Sequence, residues 1–565
     1  MHDETRQCQN CKKDFMIEAQ DFDFYAKLGV PEPLTCADCR FQRRMMFRNE
    51  RTLYKRNCGL CDKSIVTVFS PEAPQPVYCP VCWYSDKWDP CDFGQKYDPS
   101  LNFFEQMKEL QKKVPCMGRI VDGLTLVRSD YINHAGSCKD CYLIFNADFS
   151  ENVLYSTTVT HVKDSMEVIM STDSELLYEV IDCSGSKVFF SENCNACVET
   201  SFSKDCSGCI NCFGCVGMRN KSYHIFNEPY SKEEYDATIA SFRLDTYAGI
   251  QMMKKKVREF WLTFPRRAYY GTQNANSSGD YIYECKNAKN CYQAIGAEDS
   301  AYCQFLTLKS TRDCYDMTEW GMNSEKVIDS ITVGENCINV RYCAGAWANC
   351  ENTEYCIYVV GAKDCFGSIN MRKKQYCILN KQYTKEEYET LRAQIIEDMN
   401  ARPYVDQKGR VFPYGEFLPY DLSFYDYNEA QAAQYFPMNE EEARDVGFRW
   451  KAQQTPQHAV TLLPDQIPES IRDVGDSILQ EVLGCTLCEK PYRIVNAELS
   501  LLRRFDFPIP RKCPDCRFKK RFSRVNSPKL YDRECAKCGK GIKTSYSPDR
   551  PEIVYCESCY QQEVL

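Results

Sequence analysis

Four Cys-x-x-Cys pairs open the chain and four more close it, and the two sets are in register. The first set is Cys8/Cys11, Cys36/Cys39, Cys58/Cys61 and Cys79/Cys82. The second is Cys485/Cys488, Cys513/Cys516, Cys535/Cys538 and Cys556/Cys559, each cysteine 477 residues beyond its counterpart. Pro31 and Pro508, Arg40 and Arg517, Phe41 and Phe518, Tyr54 and Tyr531, and Tyr78 and Tyr555 keep the same offset. A duplicated module therefore bounds everything else.

A Cys-x-x-Cys turn brings two thiolates close enough to share a metal, and two turns make the tetrahedral cage that Zn²⁺ accepts at about 2.3 Å per bond. Pairing in sequence order gives two cages per module, hence four structural zinc ions per chain. A cross-braced pairing, first turn with third and second with fourth, fits the spacing equally. Four sulfur ligands leave no open position for catalysis. Lys12, Lys13, Lys63, Lys490 and Lys540 follow the knuckles and suit a cage of net charge about −2. Disulfides fit less well, because 37 cysteines is an odd number and no export signal precedes them. Reduced thiols in the cytoplasm are the expectation. A redox dithiol needs one such motif at a helix start, not four in series twice over.

The stretch Cys8-Gln9-Asn10-Cys11, with Asp23 to Gly29, Pro31 and Cys36-Ala37-Asp38-Cys39-Arg40, resembles a bacterial probable zinc-ribbon family. The closing copy keeps the ligands but has Leu502 for Tyr25 and Asp506 for Gly29. The whole order is similar to that of uncharacterised cysteine-rich bacterial proteins. The resemblance implies zinc binding and no reaction.

Behind the second knuckle of each module lies a short basic amphipathic helix, Arg40 to Arg48 in the first copy, with Phe41, Met45 and Phe47 facing inward. Residues 36–56 carry seven basic and two acidic side chains, and residues 511–533 carry nine and two. Such helices suit RNA or DNA phosphates, with Arg40, Arg43, Arg44, Arg517, Lys520 and Arg521 as the contacts. The alternative is that these cations neutralise thiolates and solvate a helix face. The net charge of −9 gives no general attraction to nucleic acid. No run of about 18 apolar residues is present, so no membrane span is expected.

From about residue 127 short β-rich segments alternate with marks such as Asp140-Cys141-Tyr142, Asn290-Cys291-Tyr292 and Asp313-Cys314-Tyr315, often 11–13 residues apart. This period predicts a parallel β-solenoid. The middle is itself doubled: Asp130-Tyr131-Ile132 matches Asp280-Tyr281-Ile282, and Cys212-Phe213-Gly214 matches Cys365-Phe366-Gly367. Each half ends in a capping box, Ser231 with Glu234 and Thr384 with Glu387, announcing helices that plug the open strand edge. Cys206, Cys209, Cys212 and Cys215 follow at steps of three. An iron–sulfur cluster there is disfavoured, because the last gap is not lengthened and no proline follows. Compact thiols packed in a core are the preferred reading.

The predicted fold is mostly β with α: a double zinc ribbon at each end and two tandem β-solenoid-like regions with helical caps between. The boundaries are 1–90 ribbon, 91–126 connector with a helix near Phe103–Lys112, and 127–230 first solenoid region. There follow 231–265 capping helices, 266–383 second solenoid region, 384–400 capping helix, 401–484 Pro/Tyr-rich strap and 485–565 ribbon. Short helices are expected in the strap near Glu440–Val446 and Ser470–Leu483, and the strap is expected to bring the last ribbon near the first. No phosphate loop, dinucleotide fingerprint or nucleophile elbow is present. The expected function is a zinc-binding structural protein contacting nucleic acid. Alternatives are a protein-binding scaffold using the solenoid and strap, and an enzyme with a site in a solenoid groove.

Overall fold

The structure is a computed structural model describing residues 2–452 and 458–564. Residues 453–457 of the expected strap, and the end residues 1 and 565 of the expected terminal modules, lie outside the described residues.

Two parallel-rich sheets form the centre. The first has nine strands, from Asn133–Gly136 to Ser222–Ile225, with Glu228–Pro229 folding back antiparallel at its end. Partners lie mostly 12 residues apart: Asn133 opposite Phe145, Val198 opposite Ile210, Ile210 opposite Ser222. The second has fifteen strands, from Gly271–Thr272 to the antiparallel Lys381–Gln382. Its step is 11 at the first pair (Gly271 with Ile282), 12 at the next and at the far end (Gly279 with Cys291, Lys363 with Gln375), 14 at Gln304 with Thr318, and 13 at Val327 with Val340. The expected period of 11–13 is thus the step between paired strands over most of both sheets.

Beneath that step lies a finer one of three residues. Cys138, Cys141, Ile144, Ala147 and Val153 all point inward and are at most 2% exposed. The residue before each inward one takes a left-handed conformation: Ser137 at φ 51°, Asp140 at 54°, Leu143 at 52°, Asn146 at 53°, Asn152 at 53°. Each such residue turns the chain, so four triplets make one 12-residue step. This backbone costs free energy at every non-glycine residue, and continuous cross-strand pairing offsets it. Inward side chains of successive steps stack in a narrow interior, so Ala, Ser, Cys, Val and Ile predominate. The expected core packing of Cys206, Cys209, Cys212 and Cys215 follows from this. All four are buried, and each thiol donates to backbone carbonyls, Cys209 to Ser207 at 3.6 Å and Met218 at 3.4 Å.

Both capping boxes are present, Ser231 with Glu234 and Thr384 with Glu387. Their helices, Lys232–Ser241 and Lys385–Ala401, pack on the last parallel strand of each sheet, Tyr235 against Tyr223 and Tyr388 against Tyr376. The connector carries the expected helix as Phe103–Gln111. It pairs with its ribbon (Val77 with Cys116) and, at Val121 with Ala135, with the first sheet, while the ribbon also touches the second sheet. Arg372 of the second sheet lies over Trp83 and Trp88, and Lys374 pairs with Asp89.

The terminal modules are crossed over the sheets. The first module's helix Ala37–Met45 packs on Tyr315–Gly321 and Ser324–Gly334 of the second sheet. The last module's helix Pro514–Phe522 packs on Thr157–Ile181 of the first. The strap buries Tyr414, Phe417, Tyr420, Tyr425 and Tyr427 in the core shared by the first module and the second sheet. Its expected helices are Glu440–Asp445 and, in place of the second, two 3₁₀ turns, Ile471–Asp473 and Asp476–Gln480. The ribbons meet, with Lys529 paired to Asp38 and Arg51 stacked on Phe518.

Candidate metal centres

Each four-sulfur group is assembled from one hairpin and one chain turn leading into a helix. In the first, the hairpin Glu4–Gln7/Asp14–Ile17 carries Cys8 and Cys11. The Cys8 N–H donates to Lys13 O and the Lys12 N–H to Cys8 O, closing the knuckle with Lys12 at φ 61°. Asp62, Glu489 and Gly539 occupy the same left-handed position in the other knuckles. Cys36, Cys79 and Cys513 cap the helices that follow them, so their sulfurs sit at the positive ends of helix dipoles. Sequence reading singled out the lysines after the knuckles as counter-charges but not this backbone requirement, which Gly539 alone could have signalled.

The structure resolves the pairing. Cys8, Cys11, Cys36 and Cys39 form one group, Cys58, Cys61, Cys79 and Cys82 the next, and the closing module repeats this with Cys485, Cys488, Cys513, Cys516 and Cys535, Cys538, Cys556, Cys559. Within each group every sulfur lies within 4.8 Å of the others. Cys11–Cys36, Cys488–Cys513 and Cys538–Cys556 are 3.8, 3.7 and 3.8 Å apart. A tetrahedron with bonds of about 2.3 Å has edges of about 3.8 Å. Sequential pairing therefore holds in all four, and the cross-braced alternative is excluded.

Backbone N–H groups aim at the sulfurs: Cys36 N to Cys8 Sγ at 3.3 Å, Cys79 N to Cys58 at 3.2 Å, Cys513 N to Cys485 at 3.3 Å, Cys556 N to Cys535 at 3.2 Å. Burial raises the Cys485 thiol, but the N–H groups of Cys513, Cys488 and Leu487 outweigh it and bring it down to about 6. The same balance brings Cys58 to about 7. These groups can hold four metal ions, and four sulfur ligands apiece suit a structural role. All 37 cysteines are free thiols.

The six cations assigned to nucleic acid stand elsewhere than on the surface. Arg40 pairs with Asp316 at 2.8 Å and Arg43 with Glu416 at 2.8 Å and Asp329 at 3.1 Å. Arg44 pairs with Asp329 at 2.7 Å and Asp316 at 3.2 Å. Arg517 bridges Glu167 and Glu498, and Arg521 pairs with Glu167. All five arginines are buried, and only Lys520 is exposed. The expectation of phosphate contacts is corrected for these five: their charge fastens each ribbon to a sheet. The alternative of a solvated helix face fails as well.

The two fastenings are chemically equivalent. Tyr302 donates to Asp21 and lies 5.6 Å from the Arg40 guanidinium; Tyr155 donates to Glu498 and lies 5.0 Å from that of Arg517. Asp21 and Glu498 are again 477 residues apart. The duplication therefore extends to the sheet residues that receive the ribbons.

The buried carboxyl Asp280 is raised to about 6, first by desolvation, but it is engaged by the N–H groups of Tyr270 and Tyr281 and by Ser545. No helix among the described residues is long and apolar enough to cross a membrane.

No family model matches the chain, so the likeness to a zinc-ribbon family rests on the motif alone, and no curated protein matches either. Among solved structures the chain is similar to a "putative acetyltransferase" from Desulfovibrio desulfuricans G20, at 10% identity over 51% of this chain and 74% of that one. The TM-score is 0.12, a superposition that carries no conclusion about fold or chemistry.

Proposed function

We propose that the protein is a zinc-stabilised interaction scaffold, in which four Cys₄ zinc sites hold two ribbon heads that clamp a pair of β-solenoids. The observation that carries the metal assignment is the set of four closed sulfur groups, three of them with an edge of 3.7 or 3.8 Å, the tetrahedral value. The solenoid reading is supported by parallel pairing at a near-constant step, with every third residue inward from Ser129 to Cys183 and, after a shift of two residues, from Val188 to Cys215. A body of helically capped ladders with an aromatic strap suits partner presentation. Nucleic-acid contact through the ribbon helices forms no part of this proposal, because carboxylates occupy their arginines.

Elemental analysis of the purified full chain tests the metal. Four zinc equivalents per chain are expected, with a colourless protein. Red colour with matching iron would replace zinc by ferrous or ferric Cys₄ sites, and fewer than two metal equivalents would refute the scaffold's metal basis. A pull-down from nuclease-treated lysate tests the role, and loss of every specific partner on nuclease treatment would reverse the choice between protein and nucleic acid.

A further inference from the structure

The two ribbon–sheet interfaces are copies, and their difference exposes a site. Arg40, Arg43 and Arg44 correspond to Arg517, Lys520 and Arg521. In the first copy three carboxylates face the three arginines, and the third, Glu416, is supplied by the strap to Arg43. In the second copy the counterpart of Arg43, Lys520, forms no ion pair among the described residues. It borders a cavity of about 70 Å³ enclosed by the strand Thr157–Ile181, the helix Tyr247–Leu262 and the segment 507–521.

The walls of that cavity are out of charge balance. Lys254, Arg511, Lys512, Arg517, Lys520 and Arg521 line it with Glu167 and Glu179; outside the lining Arg511 pairs with Glu469 and Arg517 with Glu498, which leaves Lys512 and Lys520 without an ion pair among the described residues. Glu167 is engaged by both arginines of the helix, and Glu179 by Lys254. Arg521 is 2% exposed, and its Nε and Nη2 have no partner. Burial, then the nearby Arg524 and Arg51, hold Arg521 well below the ordinary arginine range. A guanidinium does not give up its proton in a protein, so such a position is a buried charge whose one carboxylate, Glu167, is shared with Arg517. A cavity of this size has room for several waters or one tetrahedral oxyanion.

We propose that this cavity binds the phosphoryl group of a small phosphomonoester, which takes the place that the strap carboxylate fills in the other copy. Arg521 supplies the planar fork for two oxygens, and Lys520 and Lys254 act as point charges. The exposed Lys520 and half-buried Lys512 give the anion its way in. Tyr178, Tyr247 and Phe507 offer ring surface to the carbon portion. The first copy provides an internal control, since its guanidinium groups are already matched by side chains.

Calorimetric titration of the metal-loaded full chain with inorganic phosphate, at ionic strength held constant with chloride, tests the site. One saturable site per chain is expected, and glycerol 3-phosphate should compete for it. Arg521→Gln should abolish binding. Lys512→Ala with Lys520→Ala, both on the rim, should weaken it at least tenfold with metal content and circular dichroism unchanged. The double variant decides the matter where Arg521→Gln fails to fold. Absence of saturable binding, equal binding by the rim variant, or binding only when phosphate belongs to a polynucleotide would overturn the proposal.

Discussion

Replacing Arg44 by leucine measures how firmly the first ribbon is fastened. Arg44 is fully buried and touches Asp329 at 2.7 Å, Asp316 at 3.2 Å, Thr318 Oγ1 at 3.0 Å and Gln304 Oε1 at 3.3 Å. Removing one member of a buried ion pair typically costs about 3–5 kcal/mol, because the remaining charge is left desolvated. Here Asp316 keeps Arg40, Asp329 keeps Arg43, and Thr318 still donates to Gln304 at 3.0 Å. The loss therefore falls near the lower end, about 3 kcal/mol. With a urea dependence of about 1–3 kcal/mol per molar, the midpoint should fall by about 1–3 M. A protein of several cooperative units does not unfold in one step. The transition is best followed by metal release to a chromogenic chelator, which reports the ribbons. Lys363→Ala, which removes the exposed partner of Glu351, is the control and should cost at most about 1 kcal/mol. An Arg44→Leu midpoint indistinguishable from that control would refute the assignment of this network as a fastening.

The metal pairing is separable genetically: Cys8→Ser and Cys36→Ser, alone or combined, should each remove one zinc equivalent, whereas Cys8→Ser with Cys58→Ser should remove two, read by native mass spectrometry. Each lost site forfeits about 10–16 kcal/mol of apparent metal-binding free energy. Asp280, held at about 6 against an ordinary 3.8, binds its proton more tightly folded than unfolded. Its burial thus weakens the fold by about 3 kcal/mol above pH 6, a penalty that vanishes as pH falls to about 4. Asp280→Asn should flatten this part of the stability–pH curve, and an unchanged slope between pH 4 and 6 would disprove it. At the exposed left-handed Asp173, φ 48°, glycine should stabilise by about 1 kcal/mol and valine destabilise by more than that, measured by thermal unfolding.

Legibility followed sequence separation. The knuckles, the caps at Ser231 and Thr384 and the 12-residue step are local, and each is written in a few neighbouring residues. The three-residue step was also present, in Cys206, Cys209, Cys212 and Cys215 and in the small residues at the same spacing upstream. It stayed hidden because left-handed turns at Leu143, Phe149 or Tyr155 violate ordinary residue preferences. Only a backbone paired on both sides overrides them. The roles of the arginines were illegible for a different reason: all their carboxylate partners except Glu498 lie about 275 to 370 residues away in sequence. Clustered basic residues on a helix look alike whether they meet phosphate or buried carboxylates.

The use of buried charge where apolar contact would bind as well has a physical reason in the ladders themselves. Successive steps present nearly the same surface every 12 residues, so a purely hydrophobic helix could settle one step off at little cost. An arginine pair can be satisfied only where a carboxylate stands, and Glu167 is that mark for the last ribbon, as Asp316 and Asp329 are for the first. One step back stands Tyr155 and one step on stands Glu179, which Lys254 already engages, so docking there would leave Arg517 and Arg521 without a free carboxylate, at several kcal/mol. Glu167→Gln should therefore loosen the last ribbon selectively. Limited proteolysis is expected to accelerate in the segment before Cys485, while the first ribbon stays protected. Equal protection of both ribbons in that variant would mean that shape, and not charge, sets their position.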